Sequence, residues 1–363
     1  MKGIETELLS KRAKNGTKKP NGADNDTRGR EAMKKIVILA LHNAGASTIT
    51  GPMDSFHLAG VLWNYLNGEE AKQLFEVQIV SVDGGPVNCL NRLLIKPHMA
   101  IEDVTDADLI LISSILDIEK TLKYEGAAIP WLQAQYQKGT ALASVCTGAF
   151  VLAETGLLDG KTATTHWGYI DEFKHRYPQV NLKPERLITD EGDLYCSGAS
   201  NACLDLSMYL IEQYCGHEVA VQCAKGFLLD LGRFSQAPYS AILNFQKRHA
   251  DETILKSQNW IEANFEVGLS IDEIAEQSNI SRRTFERRFK SATGDTPLLY
   301  LQRVRIEAAK KLLEANTKTF DEIAYEVGYS ESNFFRKVFK KHTNLTPKEY
   351  RNKFLPIGSN TGV

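Results

Sequence analysis

The chain has 363 residues, 43% hydrophobic and 24% charged, with a formal net charge of -2, a composition that fits an ordinary globular protein of two or three domains. A charge so close to zero excludes a generic polyanion binder, so any affinity for nucleic acid must come from local clustering of Lys and Arg. No apolar run approaches the roughly 18 residues of a membrane span, and the polar start has no apolar stretch of the secretory kind, so no membrane partner and a cytoplasmic location are expected.

Residues 1–32 are rich in Lys, Arg, Asn, Gly and Asp. They hold too little apolar surface to build a core, so a disordered tail is expected, with Met33 as an alternative start. From Lys34 the pattern changes. Ile36–Leu41, Phe75–Val82, Leu109–Ile112 and Thr140–Val145 are apolar runs of the kind found in strands buried on both faces, and helical stretches such as Pro52–Leu66 and Ala128–Lys138 lie between them. That alternation predicts an α/β domain over 33–231, a mainly parallel sheet sandwiched between helices. Gly, Ser and Pro between Gly232 and Tyr239 predict a linker over 232–250. Residues 251–353 read as all-α, and a short disordered tail is expected over 354–363.

The α/β half contains one arrangement suited to chemistry. Ala141–Val145 runs as a strand into Cys146-Thr147-Gly148-Ala149, which places Cys146 at a sharp strand-to-helix turn, beside a helix N-terminus that can lower a thiol pKa. His166, in Thr164-Thr165-His166-Trp167, is the candidate imidazole partner for that thiol. The other cysteines, Cys89, Cys196, Cys203, Cys215 and Cys223, stand outside any C-x-x-C or zinc spacing and read as reduced thiols. Neither a metal nor an organic cofactor is implied.

The all-α half contains an internal repeat. Asp272-Glu273-Ile274-Ala275 recurs as Asp321-Glu322-Ile323-Ala324, Ser281 as Ser330, Phe289-Lys290 as Phe339-Lys340, Thr296-Pro297 as Thr346-Pro347 and Tyr300 as Tyr350, the second copy being longer by one residue. Each copy reads as helix, turn, helix. Ile271–Gln277 and Phe320–Val327 are the first helices, Asn279 and Gly328 suit a left-handed turn, and Ser281 and Ser330 are the expected N-caps of the second helices. In those second helices Phe285 and Phe289, then Phe335 and Phe339, face a core. Arg282, Arg283, Glu286, Arg287 and Arg288, then Asn333, Arg336, Lys337 and Lys340, face outward. Ser281–Lys290 holds five Lys or Arg against one Glu. This suits a helix in the DNA major groove, where Arg pairs with guanine and Asn with adenine.

Two resemblances follow from these residues. Residues 252–352 resemble the C-terminal domain of the AraC/XylS regulator family, through Ser281-Arg282-Arg283-Thr284-Phe285, Arg287-Arg288-Phe289-Lys290, Val327-Gly328-Tyr329, Phe339-Lys340-Lys341, Pro347 and Tyr350-Arg351. The resemblance implies promoter DNA and RNA polymerase as partners, with activation rather than repression. It places base reading on Arg283, Glu286 and Arg287 in one unit and Asn333, Arg336 and Lys337 in the other, with Arg282 beside them. Residues 34–230 resemble the PfpI/ThiJ branch of the class I glutamine-amidotransferase-like fold, flavodoxin-like in architecture, through the Cys146 turn, Gly156-Leu157-Leu158-Asp159-Gly160-Lys161, His166-Trp167 and Ser197-Gly198-Ala199.

The departures from the enzymes of that branch concern the reacting groups. Thr48 stands where they carry a carboxylate, Ser113-Ser114-Ile115 where they have a Pro-Gly-Gly turn, and Thr147 where the proteases have His. The expected function is therefore a homodimeric, non-enzymatic transcription regulator. Its effector would be a small metabolite, with an amino acid or a quaternary ammonium compound implied by the resemblance. The expected pocket is lined by Asn43, Thr48, Ser114, Cys146, Thr147, His166 and Trp167, with Trp167 offering a cation–π face. The competing readings of this domain are a dimer scaffold and a cysteine-dependent amidase or hydrolase with a DNA-binding appendage.

Overall fold

A computed structural model describes residues 33–240, 247 and 249–355; the tail expected at 1–32, most of that at 354–363, and linker residues 241–246 and 248 lie outside the described residues. The main sheet has seven strands: β1 (Lys34–Leu39), β2 (Phe75–Ser81), β3 (Met99–Ala100), β4 (Leu109–Ile112), β5 (Ala141–Val145), β6 (Ile188–Asp190) and β7 (Leu194–Ser197). Their spatial order is β6-β7-β5-β4-β1-β2-β3, and every pair is parallel except β6 with β7.

Side chains alternate across each strand. Ile36 and Ile38 enter one core with Phe56, Phe75 and Leu206, while Val37 and Leu39 enter the opposite core with Ile110, Ile112, Leu142 and Phe150. A strand buried on both faces has to be apolar at every position, hence the continuous runs in the sequence. The helices that position the site are α1 (Ser47–Leu58), α2 (Ile118–Tyr124), α3 (Ala128–Gln137), α4 (Gly148–Glu154) and α5 (Ala202–Cys215). Chain order along the sheet reverses between β1 and β4. In open α/β sheets, ligands bind at such a reversal, outside the carboxyl ends of the strands.

The all-α region comprises α6 (Glu252–Asn264), α7 (Ile271–Gln277), α8 (Arg282–Thr293), α9 (Pro297–Ala315), α10 (Phe320–Glu326), α11 (Ser332–Thr343) and α12 (Pro347–Phe354). It has two cores. One gathers Ile254, Ile261, Ile274, Phe285 and Phe289 with Tyr300 and Val304 of α9; the other gathers Ile323, Phe335, Phe339 and Tyr350 with Ile306, Ala309 and Leu313 of the same helix. Both first helices start in a capping box, Ser270 with Glu273 and Thr319 with Glu322. Ser281 caps α8 as the sequence predicts, accepting the Thr284 N–H. Ser330 does not cap α11: the helix starts one residue later than expected, with Glu331 at the cap position and no side-chain cap bond. The extra residue of the second copy is absorbed there. Phe354, expected in the tail, ends α12 and packs on Tyr350 and Tyr239.

Asn279 and Gly328 both take the left-handed backbone that the turns require. Gly328 is also sterically confined, because a Cβ there would lie 2.7 Å from the Glu266 carbonyl oxygen and 2.8 Å from that of Phe265. Gly294, at the end of α8, has a similar positive φ with nothing within 4 Å. Gly294→Ala should therefore cost only the conformational penalty, about 1–2 kcal/mol. Gly328→Ala should cost clearly more, measured as the difference in urea midpoint between the two variants.

Candidate functional site

The strand β5 ends at Cys146, whose φ of 58° is a left-handed conformation that non-glycine residues rarely adopt. Two residues on, a Cβ at Gly148 would lie 2.5 Å from the Ser113 carbonyl oxygen, so only glycine lets α4 start so close to the end of β4. The Cys146 thiol is 5% exposed and receives a hydrogen bond from Ser200 Oγ at 3.8 Å. Its carbonyl accepts Thr165 Oγ1 at 3.0 Å. Burial pushes the thiol pKa up and outweighs the hydrogen bonds from Ser200 and Thr147 that pull it down. Desolvation thus outweighs the lowering that a helix N-terminus can give.

His166, the candidate imidazole, is engaged elsewhere. His166 Nδ1 accepts the Gly168 N–H at 3.0 Å, and its ring stacks on Trp167 at 5.1 Å. Cys146 is hydrogen-bonded to Ser200, Thr165, Ser197, Ala149 and Thr147, and among the described residues no bond joins it to His166. Burial lowers the His166 pKa.

Thr48, Ser114 and Thr147 are brought together. Thr48 Oγ1 lies 3.1 Å from Ser114 Oγ and accepts the Ser114 N–H at 3.2 Å, while Ser114 Oγ accepts the Gly45 N–H at 3.1 Å. Thr147 Oγ1 accepts the Ile115 N–H at 3.0 Å and donates to the Ile115 carbonyl. In an acyl-transfer enzyme, N–H groups in this loop would face a developing oxyanion. Here those of Ser114 and Ile115 are already bonded to threonine hydroxyls, so the threonine substitutions close the knot that they would otherwise leave open.

Beside this knot, Asn43 turns the chain with a φ of 60° and donates its N–H to the Asn88 carbonyl at 2.9 Å. It lines a cleft of about 430 Å³ with His42, Asn88, Lys120, Thr121, Tyr124 and Glu125. This cleft stands at the carboxyl ends of β1 and β4, where the strand order reverses. Glu125 is 9% exposed, accepts the His42 backbone N–H at 2.8 Å, and has its pKa raised by burial. Lys120, Tyr124 and Glu125 were not legible as site residues. They follow β4 in an unremarkable amphipathic stretch, and only the adjacency of β1 and β4 carries them to the 42–43 loop.

The other candidate surface is the pair of second helices. On α8, Arg282, Arg283, Arg287 and Lys290 are exposed and Glu286 is half-buried; on α11, Asn333, Arg336, Lys337 and Lys340 are exposed. Phe285, Phe289, Phe335 and Phe339 are fully buried beneath them. Arg282 is held by Asp272 at 2.9 Å and Glu286 at 3.0 Å. Such exposed pairs contribute little and exchange readily for a phosphate or base. Arg336 lies over the Phe320 ring at 4.9 Å. Arg288, expected to face out, is instead bound by Asp251, the N-cap of α6, at 2.6 Å. It therefore braces the domain.

The described part of the linker is pinned at both ends. Gln236 is 1% exposed and its Nε2 donates to the Thr165 carbonyl at 2.8 Å, while Ser240 O accepts Lys310 Nζ of α9 at 2.9 Å and Ser235 Oγ accepts Asn344 Nδ2 at 2.8 Å.

An α/β domain with a strand-to-helix cysteine turn, followed by a repeated helix-turn-helix with two exposed basic helices, defines a DNA-binding regulator. Residues 34–213 match the DJ-1/PfpI family and residues 274–353 a helix-turn-helix domain. The chain is a DNA-binding transcription regulator of the AraC type with an N-terminal DJ-1/PfpI domain. It is similar to the HTH-type transcriptional regulator CdhR of Pseudomonas aeruginosa, 29% identical over 286 residues, covering 78% of this chain and 83% of that protein. The HTH-type transcriptional regulator GbdR of the same organism is 26% identical over 329 residues, covering 90% and 86%. The C-terminal part of this chain is similar to the HTH-type transcriptional activator RhaS of Escherichia coli, 38% identical over 92 residues, covering 25% of this chain and 33% of that protein.

A thiol held protonated by burial reacts slowly. On treatment with iodoacetamide at pH 7.5, label should reach the half-buried Cys215 well before Cys146, followed by peptide mass spectrometry over time; preferential early labelling of Cys146 would contradict the desolvated thiol.

Proposed function

We propose that this regulator works in the cytoplasm as a homodimer, reads promoter DNA through α8 and α11, and activates transcription through RNA polymerase when its α/β domain binds a small metabolite. The observation that carries the reading is the equivalence of the two exposed basic helices, each over a pair of buried phenylalanines. Base contacts fall to Arg283, Glu286 and Arg287 on α8 and to Asn333, Arg336 and Lys337 on α11, with Arg282 released from its ion pairs. Likeness to an activator over the C-terminal region supports activation.

For the effector we propose a compound with a positively charged nitrogen, an amino acid or a quaternary ammonium compound. It would be held at the Asn43 edge of the expected pocket, with Thr48, Ser114, Cys146 and Thr147 forming the wall behind. The support is the nearly buried carboxylate of Glu125 lining a cleft that also offers Asn43, Asn88 and the Tyr124 ring. His166 and Trp167 would close the far side of the Cys146 turn. Binding would act on DNA through residues 235–240, which touch both the Thr165 loop behind Cys146 and α9. The occupied N–H groups of Ser114 and Ile115 favour binding over amide hydrolysis, so we propose no enzymatic activity.

Two measurements test this. In selection from a genomic fragment library at fixed salt, wild type should recover a few sites. Arg287→Ala and Arg336→Ala should each lose about 1–3 kcal/mol of affinity, with relaxed preference in one half of the site; absence of any preferred sequence would overturn the reading. In a thermal-shift screen of amino acids, betaines and uncharged sugars, Tm should rise only with compounds bearing a cationic nitrogen, and Glu125→Gln should abolish that rise. A response to the sugars alone would overturn the effector class while leaving DNA reading intact.

A further inference from the structure

The reading face of α11 holds one side chain that does not match its neighbours. Phe334 lies in the first turn of the helix, between Asn333 and Phe335 in sequence and one turn before Lys337, and it is 53% exposed. The exposed positions around it, Asn333, Arg336, Lys337 and Lys340, are all polar or charged. The ring is also buttressed. It packs on Tyr329 at 6.1 Å, and Tyr329 is itself nearly buried, stacked on Phe335 at 4.3 Å and covered by the Arg305 guanidinium at 5.0 Å. Arg305 in turn donates to the carbonyls of Phe265 and Val267, both at 2.9 Å. The aromatic ring is therefore presented on a rigid support, so ordering it on contact costs little side-chain entropy.

The corresponding position in the first unit is Thr284, which is half-buried and whose hydroxyl is bonded to Ser281 Oγ at 3.0 Å as part of the helix cap. The first unit thus offers at most the methyl of a half-buried threonine here, and the two units differ in the apolar surface they present. Among the groups that line the DNA major groove, the one apolar feature is the C5 methyl of thymine; every other group on the base edges donates or accepts a hydrogen bond. Residues in the first turn of a recognition helix are the ones that reach base edges.

We infer that Phe334 is a specificity-determining residue of the second unit, selecting thymine at one position of the DNA site by packing on its methyl group. The inference rests on the base-reading role proposed for α11. It adds an apolar contact to the charged and amide contacts already assigned, and it makes the second half-site the one that demands a thymine.

The test uses the full chain and the site it selects from a library. Each thymine in the half of the site protected by α11 is replaced singly by uracil, which removes only the methyl group, and affinities are measured for wild type, Phe334→Ala and Phe334→Leu. Wild type should lose roughly 3–10-fold at one thymine, in keeping with one buried methyl group. Phe334→Ala should bind thymine and uracil sites equally, and Phe334→Leu should keep part of the discrimination, which also separates loss of the apolar contact from loss of folding. Indifference of wild type to uracil throughout that half overturns the assignment, as does a uracil penalty that persists in Phe334→Ala. A chain that selects no sequence at all overturns the DNA-reading proposal itself, a result distinct from selection without methyl discrimination.

Discussion

The helical half depends on one constraint: α9 has to fill two cores. Tyr300 and Val304 near its start complete the core under α8, and Ile306, Ala309 and Leu313 toward its end complete the core under α11. Nineteen residues of continuous helix form a rod on the order of 28 Å long. Both units are locked to that rod by aromatic packing, Tyr300 against Phe289 in one and Tyr350 against Phe339 in the other. Arg305, halfway along, satisfies the carbonyls of Phe265 and Val267 while lying over Tyr329, and so links α6 to the turn of the second unit. Bending or breaking α9 would leave two separate helix-turn-helix units instead of one reader.

In the α/β half, hydroxyls occupy the positions where a hydrolase of this architecture needs charge and free donors. Thr48 and Ser114 bond to each other, and Thr147 bonds to the Ile115 backbone in the loop after β4. A buried hydroxyl that satisfies a backbone N–H makes the loop rigid, and it removes that N–H from the service of a substrate oxygen. The strained backbone at Cys146 survives without the pKa adjustment that a nucleophile requires. Of the residues expected to line a pocket, Asn43 lines the cleft, whereas Thr48, Ser114, Cys146 and Thr147 are buried. Glu125 meets that cleft with its side chain nearly buried and its pKa raised by desolvation.

The segment joining the halves is a structural part in its own right. Gln236 is inserted so closely beside Gly198 that a Cβ on the glycine would lie 2.7 Å from its amide. Its amide donates to the carbonyl of Thr165, the residue that bonds the Cys146 carbonyl. Four residues on, Ser240 accepts Lys310, a lysine buried against Glu307 at 2.8 Å. The loop behind the cysteine turn and the rod that spaces the reading helices are therefore separated by a few hydrogen bonds.

The amino-acid sequence by itself determined what depends on local periodicity and repetition. Uninterrupted apolar runs such as Ile36–Leu41 identify strands of a doubly covered sheet because every side chain there is buried. The recurrence of Asp272-Glu273-Ile274-Ala275 at Asp321 identifies two helix-turn-helix units, and Ser281, Asn279 and Gly328 mark their caps and turns because few residues meet those backbone requirements. Tertiary structure decided what depends on distance in space. It turned Arg288 inward to Asp251 and shifted the start of α11 past Ser330. It also raised the cysteine's pKa, because desolvation is a property of the packed core, whatever the local turn favours. It placed Glu125 opposite Asn43 because β1 and β4 are neighbours in the sheet though far apart in the chain.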